Sequence, residues 1–245
     1  MATVTEVLLR DVVFRREPLT ESCAQIVAEA EHVCVGVSPF NGYFNQARIT
    51  ALVQWAFETY PQASFFVPDK SAAHTLRALG YAEAKAESKA RKQGKYVLNK
   101  VRTALAQAGV EETPGMVLCH ENLSVNPRYL ELLQEGRRRY LEEPGFQEAT
   151  VATSRGILQA WAEEGNPPQE NQEEQAVQYF LEELPMFIDT PGIVGVDSSV
   201  FVYHREIPYL RRLYDRELSW HPVERQGFAL VTVDEDLRGG PAPEV

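Results

Sequence analysis

The apolar run Val33-Cys34-Val35-Gly36-Val37, ended by Ser38-Pro39, constrains this chain more than any other feature. An uncharged, valine-rich run closed by turn-forming residues predicts a strand buried on both faces. A polar turn through Asn41-Gly42 follows. Over Gln46–Tyr60, Ile49, Val53, Ala56 and Tyr60 then recur at helical spacing until Pro61, which predicts a helix with a stop. A doubly covered strand feeding a helix is the unit of an open α/β sheet.

The same alternation continues along the chain. Strands are expected over Ser64–Val67, Gly115–Cys119, Ser199–Tyr203 and Gly227–Val233. Helices are expected over Lys70–Leu79, Ala82–Ala108, Pro127–Glu142, Phe146–Glu164, Glu173–Phe187 and Pro208–Tyr214, with a loop at Gly165-Asn166-Pro167-Pro168. The fold class is therefore α/β, a doubly wound and mostly parallel sheet flanked by helices. At 245 residues and 44% hydrophobic content the chain can bury one substantial core, so residues 1–233 are expected to form a single domain. The tail 234–245, acidic and rich in Gly and Pro, is expected to be disordered.

Several function classes fall away on composition. No run of 18 apolar residues suggests a membrane span, and Met1–Arg10 has no secretory pattern. Cys23, Cys34 and Cys119 form no CxxC pair, which argues against a disulfide framework and a zinc site and fits the cytoplasm. The net charge of −11 argues against a general coat for nucleic acid, DNA included. Yet charge is unevenly spread. Between Lys85 and Arg102, Lys89, Arg91, Lys92, Lys95 and Lys100 also stand against a lone Glu87, whereas ten acids face only Arg155 between Glu142 and Glu183.

Four constellations carry possible chemistry. Ser38, at the carboxyl end of its strand, stands where open α/β sheets bind ligands; otherwise it caps a helix or turn. It belongs to none of the common motifs: GxGxxG and GxxxxGK[ST] are absent, and Phe40 replaces the last glycine of GxSxG. Tyr179 and Glu183, four apart on a helix, could hold an ammonium group, or form part of a solvated acidic face. Glu182 is not excluded by spacing. Tyr203-His204 ends a strand with two proton-handling groups, or simply packs there. The cationic helix is either a solvated face or a phosphate footprint.

Three segments taken in order resemble the cyclodipeptide synthases: Gly36-Val37-Ser38-Pro39-Phe40-Asn41, Tyr179-x-x-x-Glu183-Leu184-Pro185, and Ser198-Ser199-Val200-Phe201-x-Tyr203-His204. The resemblance implies a Rossmann-like fold akin to the catalytic domain of class I tyrosyl- and tryptophanyl-tRNA synthetases. It implies an aminoacyltransferase that takes two aminoacyl-tRNAs and releases a cyclic dipeptide, with no cofactor and with tailoring enzymes downstream. The HIGH and KMSKS signatures are absent, so nothing points to ATP-driven activation. By the resemblance, Ser38 is the nucleophile, Tyr179 and Glu183 anchor the ammonium group, and Tyr203 relays protons. Lys85, Lys89, Arg91, Lys92, Lys95, Lys100 and Arg102 bind tRNA. Cys34, Gly36, Phe66 and Met186 line a first side-chain pocket, with Asn41, Tyr203 and His204 near a second. Asn41 and Tyr203 match the larger family subgroup. The rival readings are a serine hydrolase or acyltransferase, with Ser38 served by His120 or His204, and a non-catalytic RNA-binding module.

Overall fold

The computed structural model describes residues 12–161 and 170–234. Its strands are β1 (Phe14–Pro18), β2 (His32–Gly36), β3 (Gln62–Phe66), β4 (Val117–Leu118), β5 (Ser199–Tyr203) and β6 (Gln226–Val233). They join in one sheet in the order β1-β6-β5-β2-β3-β4. Every pairing is parallel except β1 with β6, so the sheet is mixed and mostly parallel. Residues of β2 and β5 are buried throughout, as the uncharged runs predict for central parallel strands.

Nine helices are described: α1 (Ala24–Glu29), α2 (Gln46–Thr59), α3 (Ala72–Ala78), α4 (Glu83–Gln107), α5 (His120–Leu123), α6 (Pro127–Glu142), α7 (Pro144–Trp161), α8 (Glu170–Val194) and α9 (Pro208–Tyr214). Local chemistry sets several of their ends. The Asn45 side chain caps α2 through the Arg48 amide, and Asn126 caps α6 through the Tyr129 amide, with Pro127 in the first turn. α8 packs against α3, α6, α7 and the strands β5 and β6, and its Thr190 reaches Gln226 at the start of β6.

The amino ends of three strands are tied by one buried imidazole. His32 Nδ1 lies 2.8 Å from Ser199 Oγ, and its Nε2 lies 3.0 Å from Ser64 Oγ. Ser64 donates its own proton to the Gly115 carbonyl at 2.8 Å. The imidazole therefore donates from Nε2 to Ser64 and accepts from Ser199 at Nδ1. Burial lowers its pKa to about 4, which keeps it neutral.

Two differences from the sequence expectations, and one glycine, are informative. β1 was not anticipated, because Phe-Arg-Arg-Glu-Pro carries three charges and a proline, a composition fit only for a sheet edge. α8 continues past Phe187, through Pro185 and Pro191, with Asp189 non-helical at φ −154° and ψ 60°. The Thr190 amide is satisfied there by Gln226 Oε1 at 2.8 Å, which lets the chain resume its helix. In the middle of α4, Gly94 lets the helix cross the loop after β3: a Cβ there would stand 2.5 Å from Asp69 Cβ. The expected loop at 165–168 and the tail from 235 lie outside the described residues.

Candidate active site

β2 connects onward to β3 on one side, while β5 returns to pair on its other side. The crevice between their carboxyl ends is the switch point at which open α/β sheets bind ligands. Ser38 follows β2 and Tyr203 ends β5, and their hydroxyl oxygens stand 2.9 Å apart. Gly36 makes this approach possible, since a Cβ there would lie 2.9 Å from the Phe201 ring and 3.3 Å from the Tyr203 ring. Asn41 is oriented by the Tyr43 amide, which donates to its Oδ1 at 3.0 Å. Its Nδ2 is thereby turned toward Tyr203 OH and His204 Nε2, each at 3.4 Å. Phe40, where a hydrolase elbow has glycine, adopts φ 62° and packs its ring among Ala72, Ala73, Leu76 and Tyr179. A left-handed non-glycine residue costs about 1–2 kcal/mol, which this packing offsets.

α8 supplies the second half of the site. Tyr179 and Glu183 are both buried, and the Tyr179 hydroxyl lies within interaction range of both the Glu183 carboxyl and Ser38. Burial pushes the Glu183 carboxyl up to about 7; the Tyr179 bond pulls against this and the Glu182 charge adds to it. Tyr179 is held well above its ordinary value by burial first and then by the Glu183 charge. Burial also raises Tyr203, against the bond from Ser38. The two phenols therefore stay protonated at neutral pH, while Glu183 stands poised to gain or lose a proton.

These groups share a cavity of about 590 Å³. Ser38, Asn41, Tyr179, Glu183 and Tyr203 all face it, as do Gly36 and Phe66. Two expected wall residues do not: Cys34 and Met186 are fully buried and lie outside its lining. Phe187, Phe201 and Phe228 form the apolar wall instead. Phe201 was legible in principle, because residues i and i+2 of a strand share a face and Tyr203 was already a candidate. Phe187 and Phe228, and the Ala152 and Gly156 surface of α7, carried no local signal. His204 is also off the wall. It stacks on Tyr43 at 4.1 Å, and burial and the nearby Arg205 lower its pKa to about 4.

The hydrolase reading needs an imidazole on Ser38. His204 Nε2 instead meets Asn41, and His120 lies outside the cavity lining, with its amide on Asp69. Glu182 points away from the cavity, bonded to His74 at 3.1 Å. All seven expected cations lie on α4. Lys85, Lys89, Arg91, Lys92 and Lys95 are exposed, opposite the face that buries Ala86, Ala90, Val97 and Val101. Three have internal partners: Lys89 donates to Tyr81 OH at 3.1 Å, Lys100 donates to the Phe44 carbonyl at 3.0 Å, and Arg102 pairs with Glu112 at 3.1 Å. Among the described residues no cluster of His, Cys, Asp or Glu could hold a metal ion, and no helix is long and apolar enough to cross a membrane.

Comparison with known proteins gives a consistent answer. The family model for cyclodipeptide synthase matches residues 14–233. The cyclo(L-leucyl-L-leucyl) synthase of Bacillus subtilis is 32% identical over 226 residues, covering 91% of this chain and 90% of the relative. The cyclo(L-tyrosyl-L-tyrosyl) synthase of Mycobacterium tuberculosis is 30% identical over 232 residues, covering 94% and 78%. A solved Mycobacterium tuberculosis structure superposes with a TM-score of 0.79 at 29% identity, covering 90% of this chain and 94% of that one. It is described as relating cyclodipeptide synthetases to type I tRNA synthetases.

Proposed function

From the premise that this chain belongs to the cyclodipeptide synthase family, we propose that it joins two tRNA-borne aminoacyl groups through ester intermediates on Ser38. The observation that carries the mechanism is the Ser38–Tyr203 contact at 2.9 Å, facing the buried Tyr179–Glu183 pair across one cavity.

Ser38 Oγ attacks the ester carbonyl of the first aminoacyl-tRNA, and the tRNA leaves through its ribose oxygen. Tyr203, protonated and in contact with Ser38, passes a proton toward that oxygen as it receives the serine's own. Asn41 Nδ2, donating to the phenol oxygen, favours the moment at which that oxygen carries more negative charge. The α-ammonium of the bound group lies against Glu183 and Tyr179, where a cation draws the carboxyl into its ionised form. The amine of a second aminoacyl-tRNA then takes the acyl group from Ser38, which regains its proton. Ser38 next attacks the ester of the dipeptidyl-tRNA so formed, and the second tRNA leaves through its protonated ribose oxygen as the dipeptide becomes an ester on the serine. Glu183 removes the remaining ammonium proton, and the freed amine closes the ring and releases Ser38.

Phe66, Phe187, Phe201 and Phe228 surround the cavity, which favours an apolar side chain on at least one substrate. The relatives named above act on leucine and tyrosine by name, in keeping with such a wall. The exposed cations of α4 suit the phosphate backbone of tRNA. The sheet positions Ser38 and Tyr203, and α8, packed on β5 and β6, brings Tyr179 and Glu183 to them, which supports a single catalytic unit. The three cysteines are free and buried, which supports a reducing, cytoplasmic setting.

The test is expression in a bacterial host, with mass spectrometry of the medium for cyclic dipeptides. The wild type is expected to release at least one, and Ser38→Ala to release none while melting at an unchanged temperature. Continued production by Ser38→Ala would overturn the covalent route.

A further inference from the structure

Consecutive carboxylates on α8 face opposite ways, and the second is held as firmly as the first. Glu183 enters the cavity, while Glu182 turns outward between α3 and α6. His74 Nε2 on α3 lies 3.1 Å from Glu182 Oε1. His74 Nδ1 accepts from Arg77 at 2.7 Å, so the proton of the neutral ring stands on Nε2 and is donated to Glu182. Ser71 also helps to hold this carboxylate in its charged form, and Arg137 of α6 stands 3.8 Å away. From α6, Tyr129 OH donates to the Glu182 main-chain carbonyl at 2.8 Å.

Such bracing has a cause in the sequence. Pro185 has no amide hydrogen, so the Leu181 carbonyl loses its intrahelical partner and the helix is weakened there. That turn begins two residues after Tyr179 and includes Glu183. α3 closes the same region from the other side, since Ala72, Ala73 and Leu76 pack on Tyr179.

We propose that Glu182 and His74 act as a positioning pair, clamping the α8 turn so that Tyr179 and Glu183 meet the substrate ammonium in register, with a fixed negative charge behind them. The inference rests on the reading of Tyr179 and Glu183 as the ammonium site. Around Glu182 and His74 stand Arg77 from α3, Glu87 and Arg91 from α4, His120 from α5, Asp69 and Lys70 after β3, and Tyr129 and Arg137 from α6, while Tyr203 from β5 stands on the cavity side with Glu183. Arg205 after β5 and Arg212 of α9 border the cavity, Gln226 of β6 bonds Thr190 farther along α8, and Arg155 of α7 pairs with Glu173.

Three variants test this in the full chain, with purified aminoacyl-tRNA as substrate. His74→Leu is expected to lower kcat about ten-fold, with tRNA affinity unchanged in filter binding. His74→Gln keeps an N–H donor for Glu182 and is expected to recover most of that loss. Glu182→Gln removes the charge that raises Glu183, so the acid limb of the pH–rate profile is expected to move to lower pH. Thermal melts show whether each variant is folded. Equal losses in His74→Leu and His74→Gln, or an unmoved acid limb in Glu182→Gln, would overturn the proposal. A wild type that forms no cyclic dipeptide overturns the underlying reading instead.

Discussion

At the amino ends of β2 and β5, His32 lies between Ser199 and Ser64; at their carboxyl ends, Ser38 lies against Tyr203, with Asn41 and His204 alongside. Both are chains of hydroxyl and imidazole groups spanning neighbouring parallel strands. At the amino edge each ring nitrogen has one close partner, and the final proton is spent on a backbone carbonyl. At the carboxyl edge the bonds to Asn41 are long, His204 Nδ1 is buried with no partner, and a large cavity opens beside the serine. Residue type therefore does not distinguish a structural clip from a reaction centre. The distinction lies in whether every proton is committed and whether a substrate can enter.

The largest expected effect breaks the carboxyl edge. Tyr203→Phe keeps the ring against Phe44 and His204 and deletes the relay. Single-turnover cyclic dipeptide formation is expected to fall by about two to three orders of magnitude, with little change in melting temperature. A rate within a few-fold of wild type would exclude Tyr203 from proton transfer.

Next comes the amino edge, where the loss should be one of stability. Burial lowers the His32 pKa to about 4 in the folded chain, against an ordinary value of 6.5. Its contribution is fully present above 6.5 and is lost as pH falls toward 4, because the unfolded chain takes up the proton first. The difference is about 3 kcal/mol. Urea unfolding at a series of pH values should show this slope in the wild type and a shallower one in His32→Leu. The folded fraction of that variant should keep its activity at neutral pH. Equal slopes in the two proteins would remove His32 from the account.

The smallest effect lies between the edges. In Gly36→Ala the new methyl group meets the Phe201 and Tyr203 rings, and overpacking of this kind costs about 1–3 kcal/mol. Product yield is expected to drop about ten-fold as Tyr203 shifts from Ser38, with a melting point a few degrees lower. A variant with lowered stability and full activity would show that the strand tolerates the methyl group without moving the relay.

Much of this arrangement was written locally. The runs at His32–Gly36 and Ser199–Tyr203 are uncharged, the first followed by Ser38-Pro39 and the second by the charged Arg205-Glu206, so their strands and the ends of those strands could be read from pattern alone. Helical spacing placed Tyr179 and Glu183 on one face but left Glu182 and a plain solvated face open, and only the family resemblance singled the two out. The cavity wall did not, because Cys34 and Gly36 share a strand face and only three-dimensional packing decides which of them is covered. Phe228 reaches the site from a strand far along the chain. β1 was illegible because its pairing is decided wholly by β6. The clamp on Glu182 was equally hidden, since His74 and Arg137 meet it from helices that only the fold brings together.

Gly94 has a consequence for the geography of the surface. In an isolated helix, alanine at this position would add about 1 kcal/mol; here its methyl group would collide with Asp69, whose carboxylate also receives the His120 amide at 2.8 Å. The chain thus keeps a soft link in the middle of α4 so that the helix can rest on the loops leaving β3 and β4. That seat fixes the bearing of the cationic strip relative to Ser38 and, under the proposed function, the direction from which a long polyanion lowers its end into the crevice.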